Sequence, residues 1–109
     1  MTLVALKDVL APALKNHHAV AGLVTLGWED MRAFVDAAEA ENVPVILQAG
    51  PGCREHTPLA ILGKIFRHLA EGASVAVVAH FDHGYTMDEC KEALDCGFTS
   101  GMFDGSRKP

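Results

Sequence analysis

The chain has 109 residues, a length that suits one domain, and half of them are hydrophobic, so a sizeable core is possible. A formal net charge of −5 argues against a nucleic-acid-binding surface, and no apolar run approaches the ~18 residues of a membrane span. The N-terminus does not resemble a signal peptide, and three cysteines at unmatched spacing do not form a disulfide framework. We therefore expect a cytoplasmic protein with free thiols and with neither nucleic acid nor membrane as a partner.

Apolar runs and helical patterns alternate along the chain. An N-terminal helix is predicted over about residues 6–15. Strands are then predicted at residues 19–26, 43–49, 74–81 and 98–104, and helices between them at residues 29–41, 58–71 and 86–97. The strand runs are mostly continuous rather than alternating, which favours parallel strands that are covered on both faces. Thr86 and Glu89 have the spacing of a capping box, and Gly97 lies where a helix C-cap glycine belongs.

This order of elements requires parallel pairing with right-handed crossovers, and two α/β architectures fit it. One is half of a (β/α)8 barrel and the other is a doubly wound open sheet. The first strand is not followed by the Gly-x-Gly-x-x-Gly of a dinucleotide site, and the glycine-rich segment 50–53 lacks the lysine of a P-loop. A whole barrel takes about 250 residues. We therefore expect one partial barrel domain over residues 1–109 that ends after its fourth strand.

In parallel α/β folds the ligand lies at the C-terminal ends of the strands. The third predicted strand delivers His80, Asp82 and His83 to that edge, and the fourth delivers Asp104 and Ser106. His80 and Asp82 share parity, whereas His83 lies at the turn into the loop, where the chain can bend it back toward the same pocket. Neutral imidazole ligates zinc, and a nearby carboxylate can ligate, orient a histidine or move protons. A histidine pair on a solvated loop is the alternative, but the preceding apolar strand favours a site.

The run Val77-Val78-Ala79-His80-Phe81-Asp82-His83-Gly84 resembles the signature of class II fructose- and tagatose-bisphosphate aldolases. The segments 97–106 and 43–48 are similar to the fourth and second strands of that family. The resemblance extends over nearly the whole chain but only over the first half of a family barrel. It implies the N-terminal half of a (β/α)8 TIM barrel with an extra N-terminal helix.

The resemblance also implies roles for individual residues. Asp82 would be the general acid/base that exchanges a proton with the C4 hydroxyl, and His83 would ligate the catalytic zinc. Asp104 would belong to a second position for a divalent or monovalent cation, and Gly50 and Ser106 would lie at the substrate. The implied reaction cleaves or forms a ketose 1,6-bisphosphate through a dihydroxyacetone phosphate enediolate, which zinc stabilises in place of a lysine Schiff base. The implied partners are a phosphorylated sugar and, in a homo-oligomer, further copies of the chain.

Three positions depart from the family pattern. Leu23-Val24 replaces a common Phe-Asn, Gly50 replaces a serine near the substrate phosphate, and Gly101 replaces a β-branched residue. The other zinc-ligating histidines belong to the second half of the family barrel, so we expect weak or no activity from the isolated chain. Two rival interpretations remain. One is a non-catalytic half-barrel that assembles as a homodimer, and the other is a different metal-binding or proton-transfer enzyme.

Overall fold

The computed structural model describes residues 2–109, over which helices and strands alternate. The elements are α1 (Leu6–Lys15), β1 (Gly22–Val24), α2 (Trp28–Glu41), β2 (Val45–Ala49), α3 (Pro51–His56), α4 (Leu59–Gly72), β3 (Val77–Gly84), α5 (Met87–Asp95) and β4 (Ser100–Phe103). The strands form one parallel sheet in the order β1-β2-β3-β4. The predicted α/β class is confirmed. None of the helices between residues 2 and 109 is long and apolar enough to cross a membrane.

Several strand boundaries differ from the sequence-based expectation, and one helix was not predicted. β1 is shorter than the predicted strand over 19–26, and β3 continues past residue 81 to Gly84. The glycine-rich segment after β2 is not simply a loop, because helix α3 begins there at Pro51. A proline suits the first position of a helix, since its missing N–H would have no helical partner there. Six residues are fewer than two helical turns, so periodicity gives no signal for this helix.

The main core lies on the face of the sheet that α2, α4 and α5 cover, which we call the outer face. Alternate residues of β2 and β3 point to this face, and Leu47, Val77 and Phe81 are completely buried. Phe66 of α4 and Phe98 pack edge to face with their ring centroids 5.5 Å apart, and Phe98 meets the Phe81 ring in the same way at 6.0 Å. The three aromatic rings therefore join α4 to the centre of the sheet.

The opposite face of the sheet, which we call the inner face, is divided along its length. Near the N-terminal ends of the strands, Ile46 and Val78 pack against Val9 of α1 in a second, smaller apolar cluster. Further along the strands, Gln48 and His80 are register partners on the same face. A cavity of about 220 Å³ lies between these two levels and is lined by Leu6, Leu10, Ile46, Gln48 and His80. Helix α1 therefore provides an apolar floor beneath the polar end of the inner face.

The loop after β3 is fixed by the predicted capping box of α5. The backbone N–H of Glu89 donates to Thr86 Oγ1 at 3.1 Å, and the Glu89 carboxylate accepts from the backbone N–H groups of Thr86 and Tyr85 at 3.2 and 2.9 Å. Gly97 follows the helix with a φ of +99°, which confirms its role at the C-terminus. These bonds order the chain immediately after the residues that end β3.

Candidate active site

Polar side chains converge on Asp82 at the C-terminal end of the inner face. Asp82 is buried, with 9% of its surface exposed. Gln48 Nε2 donates to Asp82 Oδ2 at 3.4 Å, and His80 Nε2 lies 3.4 Å from the other carboxylate oxygen. His83 Nε2 lies 3.6 Å from Asp82 Oδ2. The carboxylate is therefore surrounded by one amide and two imidazoles.

His83 reaches this cluster through an irregularity in β3. Strict alternation would turn His83 to the outer face, because Asp82 before it points inward. The register between β3 and β4 shifts between Phe81 and Gly84, and His83 has a φ of +54°. A β-bulge can re-aim a side chain in this way, although a left-handed non-glycine residue costs about 1–2 kcal/mol. β3 includes His83, whereas the predicted strand ends at residue 81, and the expected bend of His83 back toward the pocket occurs within β3, at the bulge.

Asp104 and Ser106 extend the cluster from the end of β4. The Asp104 carboxylate accepts hydrogen bonds from His83 Nδ1 at 2.8 Å and from the backbone N–H of Ser106 at 2.9 Å. Hydrogen bonds from Ser106 and then from His83 hold the pKa of Asp104 well below its ordinary value. An ionised carboxylate only accepts, so this contact requires the proton on His83 Nδ1, and in the neutral ring Nε2 would then carry the lone pair that a metal can bind.

His80 is held at both of its ring nitrogens. Nδ1 lies 2.7 Å from Ser100 Oγ, and Nε2 faces Asp82. Ser100 is the register partner of His80 on β4, so the pairing of the two strands sets this contact. Gln48 lies near the end of the second predicted strand, at the edge where the ligand is expected, but the sequence assigned it no role; it did not identify Ser100, or Arg54, whose guanidinium donates to the Asp82 carbonyl, as residues of the site. Parity along β2 would have placed Gln48 on the inner face, whereas the contacts of the other two depend on tertiary structure.

Gly50 lies just past β2, at the same edge of the sheet, as the N-cap residue of α3. Its φ of −89° is open to any residue, and a Cβ placed on it would meet no atom within 4 Å. Neither backbone conformation nor space therefore requires glycine at this position. A serine, the residue expected there from the family pattern, would fit.

The residues present match the donor chemistry of zinc only in part. Imidazole nitrogen and carboxylate oxygen are ordinary zinc ligands, and a catalytic zinc site usually takes three of them from the protein. Within residues 2–109, no group of three or more His, Cys, Asp or Glu side chains is arranged to hold a metal ion. The cluster offers one free imidazole nitrogen, on His83, beside the Asp82 carboxylate.

Comparisons with known proteins agree on one family. A sequence model described as class-II fructose-bisphosphate aldolase matches residues 4–109. The chain is 34% identical to a 6-phospho-5-dehydro-2-deoxy-D-gluconate aldolase of Bacillus licheniformis and 35% identical to a fructose-bisphosphate aldolase of Staphylococcus aureus (strain Mu50). All of this chain is matched in each, but only 38% and 39% of those relatives' length is spanned. The crystal structure of the YdjI aldolase from Escherichia coli K12 matches with a TM-score of 0.89 at 30% identity, covering 95% of this chain and 40% of that one.

Proposed function

The chain belongs to the class II fructose-bisphosphate aldolase family, and we propose that the protein acts as a zinc-dependent aldolase on a phosphorylated sugar. The observation that supports this function most directly is the convergence of Asp82, His83 and Asp104 at the C-terminal ends of β3 and β4. The names of the relatives point to the substrate class, since both a fructose bisphosphate and a 6-phosphogluconate derivative are phosphorylated sugars. The proposed reaction breaks or forms the bond between the carbon next to a ketone and the hydroxyl-bearing carbon beyond it.

His83 is the proposed zinc ligand, through Nε2. The Asp104 carboxylate accepts a hydrogen bond from Nδ1 of the same ring, and a carboxylate in that position commonly fixes the tautomer and orientation of a metal-binding histidine. Bound zinc would supply Lewis-acid stabilisation of the enediolate charge that carbon–carbon cleavage leaves on the ketone half. The expected second cation at Asp104 stays a prediction, and its carboxylate here accepts from both His83 and Ser106.

Asp82 is the proposed general acid/base. It must hold a proton or accept one at the substrate hydroxyl next to the bond that breaks. Its burial and its contacts with Gln48 and His80 hold the carboxylate in one position. Because His83 lies beside it, the proposed proton-transfer group and the proposed zinc ligand are neighbours. A substrate bound to the zinc would therefore lie within reach of the Asp82 carboxylate, and such positioning lowers the barrier to proton transfer.

Gly50 and Ser106 are the proposed substrate contacts. Gly50 follows β2 directly and Ser106 lies in the turn beyond the end of β4, at the edge where the polar cluster lies. Ser106 is exposed, and its backbone N–H donates to Asp104, so the turn that carries it lies beside the polar cluster. Gly50 leaves open space in which a substrate group could approach the main chain.

The test is a coupled aldolase assay on the 109-residue chain with added zinc, with and without EDTA. We expect weak or no turnover, because a catalytic zinc usually takes three protein ligands and, among residues 2–109, His83 is the one proposed zinc ligand at the site. Any turnover should disappear with EDTA and with Asp82→Asn, and should survive Asp36→Asn at an exposed position of α2. Turnover that resists both EDTA and Asp82→Asn would contradict the proposed chemistry. Strong EDTA-sensitive turnover would instead contradict the expectation of weak activity.

A second candidate function is a non-catalytic half-barrel that closes as a homodimer. Over the described part of the chain, β1 and β4 each pair on one side only, and hydrophobic side chains at both edges are exposed: Val24, Leu26, Met102 and Phe103. Unpaired strand edges and exposed apolar residues favour association. Two copies would together provide the eight strands of a barrel. Light scattering separates the possibilities, since a clean dimer supports closure and a soluble monomer argues against it.

A further inference from the structure

The guanidinium of Arg54 binds the main chain of β3 from behind the polar cluster. Its Nη1 donates to the carbonyl oxygen of Asp82 at 2.7 Å, and its Nη2 donates to that of His83 at 3.0 Å. Nη1 also donates to the Ala49 carbonyl at 3.2 Å, and Cζ lies 4.3 Å from the centroid of the Phe81 ring. One side chain of α3 therefore ties the end of β2 to two successive carbonyls of β3.

Those two carbonyls belong to the irregular part of β3. Asp82 and His83 lie within the register shift between Phe81 and Gly84, and His83 is left-handed. A bulge interrupts the regular ladder, and backbone groups that are withdrawn from a ladder require other partners. Strained backbone persists only where the surrounding structure holds it, and Arg54 supplies charged donors at the strained residue, His83, and at Asp82 before it.

We propose that Arg54 is a positioning residue, which holds the bulge of β3 so that the side chains of Asp82 and His83 enter the same site. The effect on the reaction rests on the function proposed for those two residues, whereas the effect on the backbone does not. The planar fork of arginine can donate to several carbonyls while it stacks on the Phe81 ring. Lysine keeps the positive charge, but its ammonium group lacks the planar fork of arginine. It can therefore replace only part of the contacts with the carbonyls and the Phe81 ring.

The first test measures the backbone. The variants are Arg54→Met and Arg54→Lys, with Arg67→Met as the control, since the Arg67 side chain pairs with Glu71 on the exposed surface of α4, away from β3. The amide–Hα coupling of His83 in NMR spectra reports its φ, and the imidazole ¹⁵N shifts report the bond to Asp104. We expect both signals to change in Arg54→Met, to recover partly in Arg54→Lys and to remain as in the wild type in the control. Wild-type His83 signals in a folded Arg54→Met would overturn the proposal.

The second test titrates the same variants with Co²⁺ alone and follows its visible absorption. Loss of groups that orient a metal ligand typically costs about 10–100-fold in metal affinity, and we expect a loss of this size for Arg54→Met. Arg54→Lys should lose less, and Arg67→Met should stay within about twofold of the wild type. Changed His83 signals in Arg54→Met, together with a Co²⁺ affinity that His83→Ala does not lower, would leave the positioning role standing and remove the proposed metal role. Unchanged His83 signals would remove the positioning role itself.

Discussion

The two faces of β3 have opposite surroundings although their residues alternate along one strand. On the outer face, Val77, Ala79 and Phe81 are at most 1% exposed and pack beneath helices. On the inner face, His80 and Asp82 are surrounded by an amide, a hydroxyl and another imidazole. Neighbouring residues of β3 therefore have different roles: those on the outer face stabilise the fold, and His80 and Asp82 on the inner face form the site. Substitutions on the outer face should mainly lower the free energy of unfolding, and those at the site should mainly change metal binding and activity.

The largest expected effect lies on the outer face, in Phe81→Ala. The ring is completely buried, and both Phe98 and the Arg54 guanidinium pack on it. Truncation of such a ring costs about 3–5 kcal/mol of unfolding free energy, through lost burial and the cavity that remains. Urea denaturation measures this loss. Phe103→Ala is the matched control, because that ring on β4 is 45% exposed and should cost much less. Equal losses for the two variants would break the distinction between the faces.

The next effect tests how tightly the outer layer is packed, at Gly63 of α4. A Cβ on Gly63 would overlap the carbonyl oxygen of Cys96, so α4 and the end of α5 must move apart in Gly63→Ala. Overpacking of this kind costs about 1–3 kcal/mol. Gly72→Ala is the control, since a Cβ there meets nothing within 4 Å and alanine favours a helix. Thermal or urea unfolding should show opposite signs for the two changes, and a neutral Gly63→Ala would contradict the close contact.

A smaller effect isolates backbone strain at the inner edge, at His83. We expect His83→Gly to be more stable than His83→Ala by about 1 kcal/mol, because only glycine adopts a positive φ without cost. Both variants lack the imidazole, so their difference reports the backbone alone. Lys91, in the middle of α5, is the control: Lys91→Gly should be less stable than Lys91→Ala by a similar amount. A lower free energy of unfolding for His83→Gly than for His83→Ala would mean that the residue is not left-handed in solution.

The smallest expected effect is a pH dependence at Asp104. Its pKa is lowered in the folded state by hydrogen bonds from Ser106 and His83, so the folded protein holds this proton less tightly than the unfolded chain. The resulting stability is present above the unfolded pKa and is lost as the pH falls through the folded one. From about pH 5 to about pH 3, urea unfolding should show a shallower loss of stability in Asp104→Asn than in the wild type. Equal slopes would contradict the lowered pKa, and Asp36→Asn serves as a control for general charge effects.

The positions of most elements could be predicted because their signals are local. Helix α1 has the predicted bounds, and Thr86, Glu89 and Gly97 mark the ends of α5 as the sequence indicates. Parity alone placed His80 and Asp82 on one side of β3, and the structure agrees. These features follow from residue spacing within one segment, where propensity, capping and side-chain period act.

The rest of the site depends on contacts between distant segments. The left-handed conformation of His83 arises in the register shift between β3 and β4, and no local motif marks it. Arg54 lies 28 positions before the Asp82 carbonyl that it binds, on a helix too short to give a periodic pattern. The use of Asp104 to hold the His83 ring likewise requires two strands to be placed side by side.

Zinc affinity of the wild type and of His83→Ala tests the central claim most directly, namely that the end of β3 is a metal-dependent aldolase site. The substitution removes the free imidazole nitrogen, and His68→Ala, on the outer surface of α4 beside Trp28, removes an imidazole elsewhere. Titration with zinc should show binding that falls by at least about tenfold in His83→Ala and stays unchanged in His68→Ala. Zinc binding that is the same in the wild type and in His83→Ala would show that the ligand assignment is wrong.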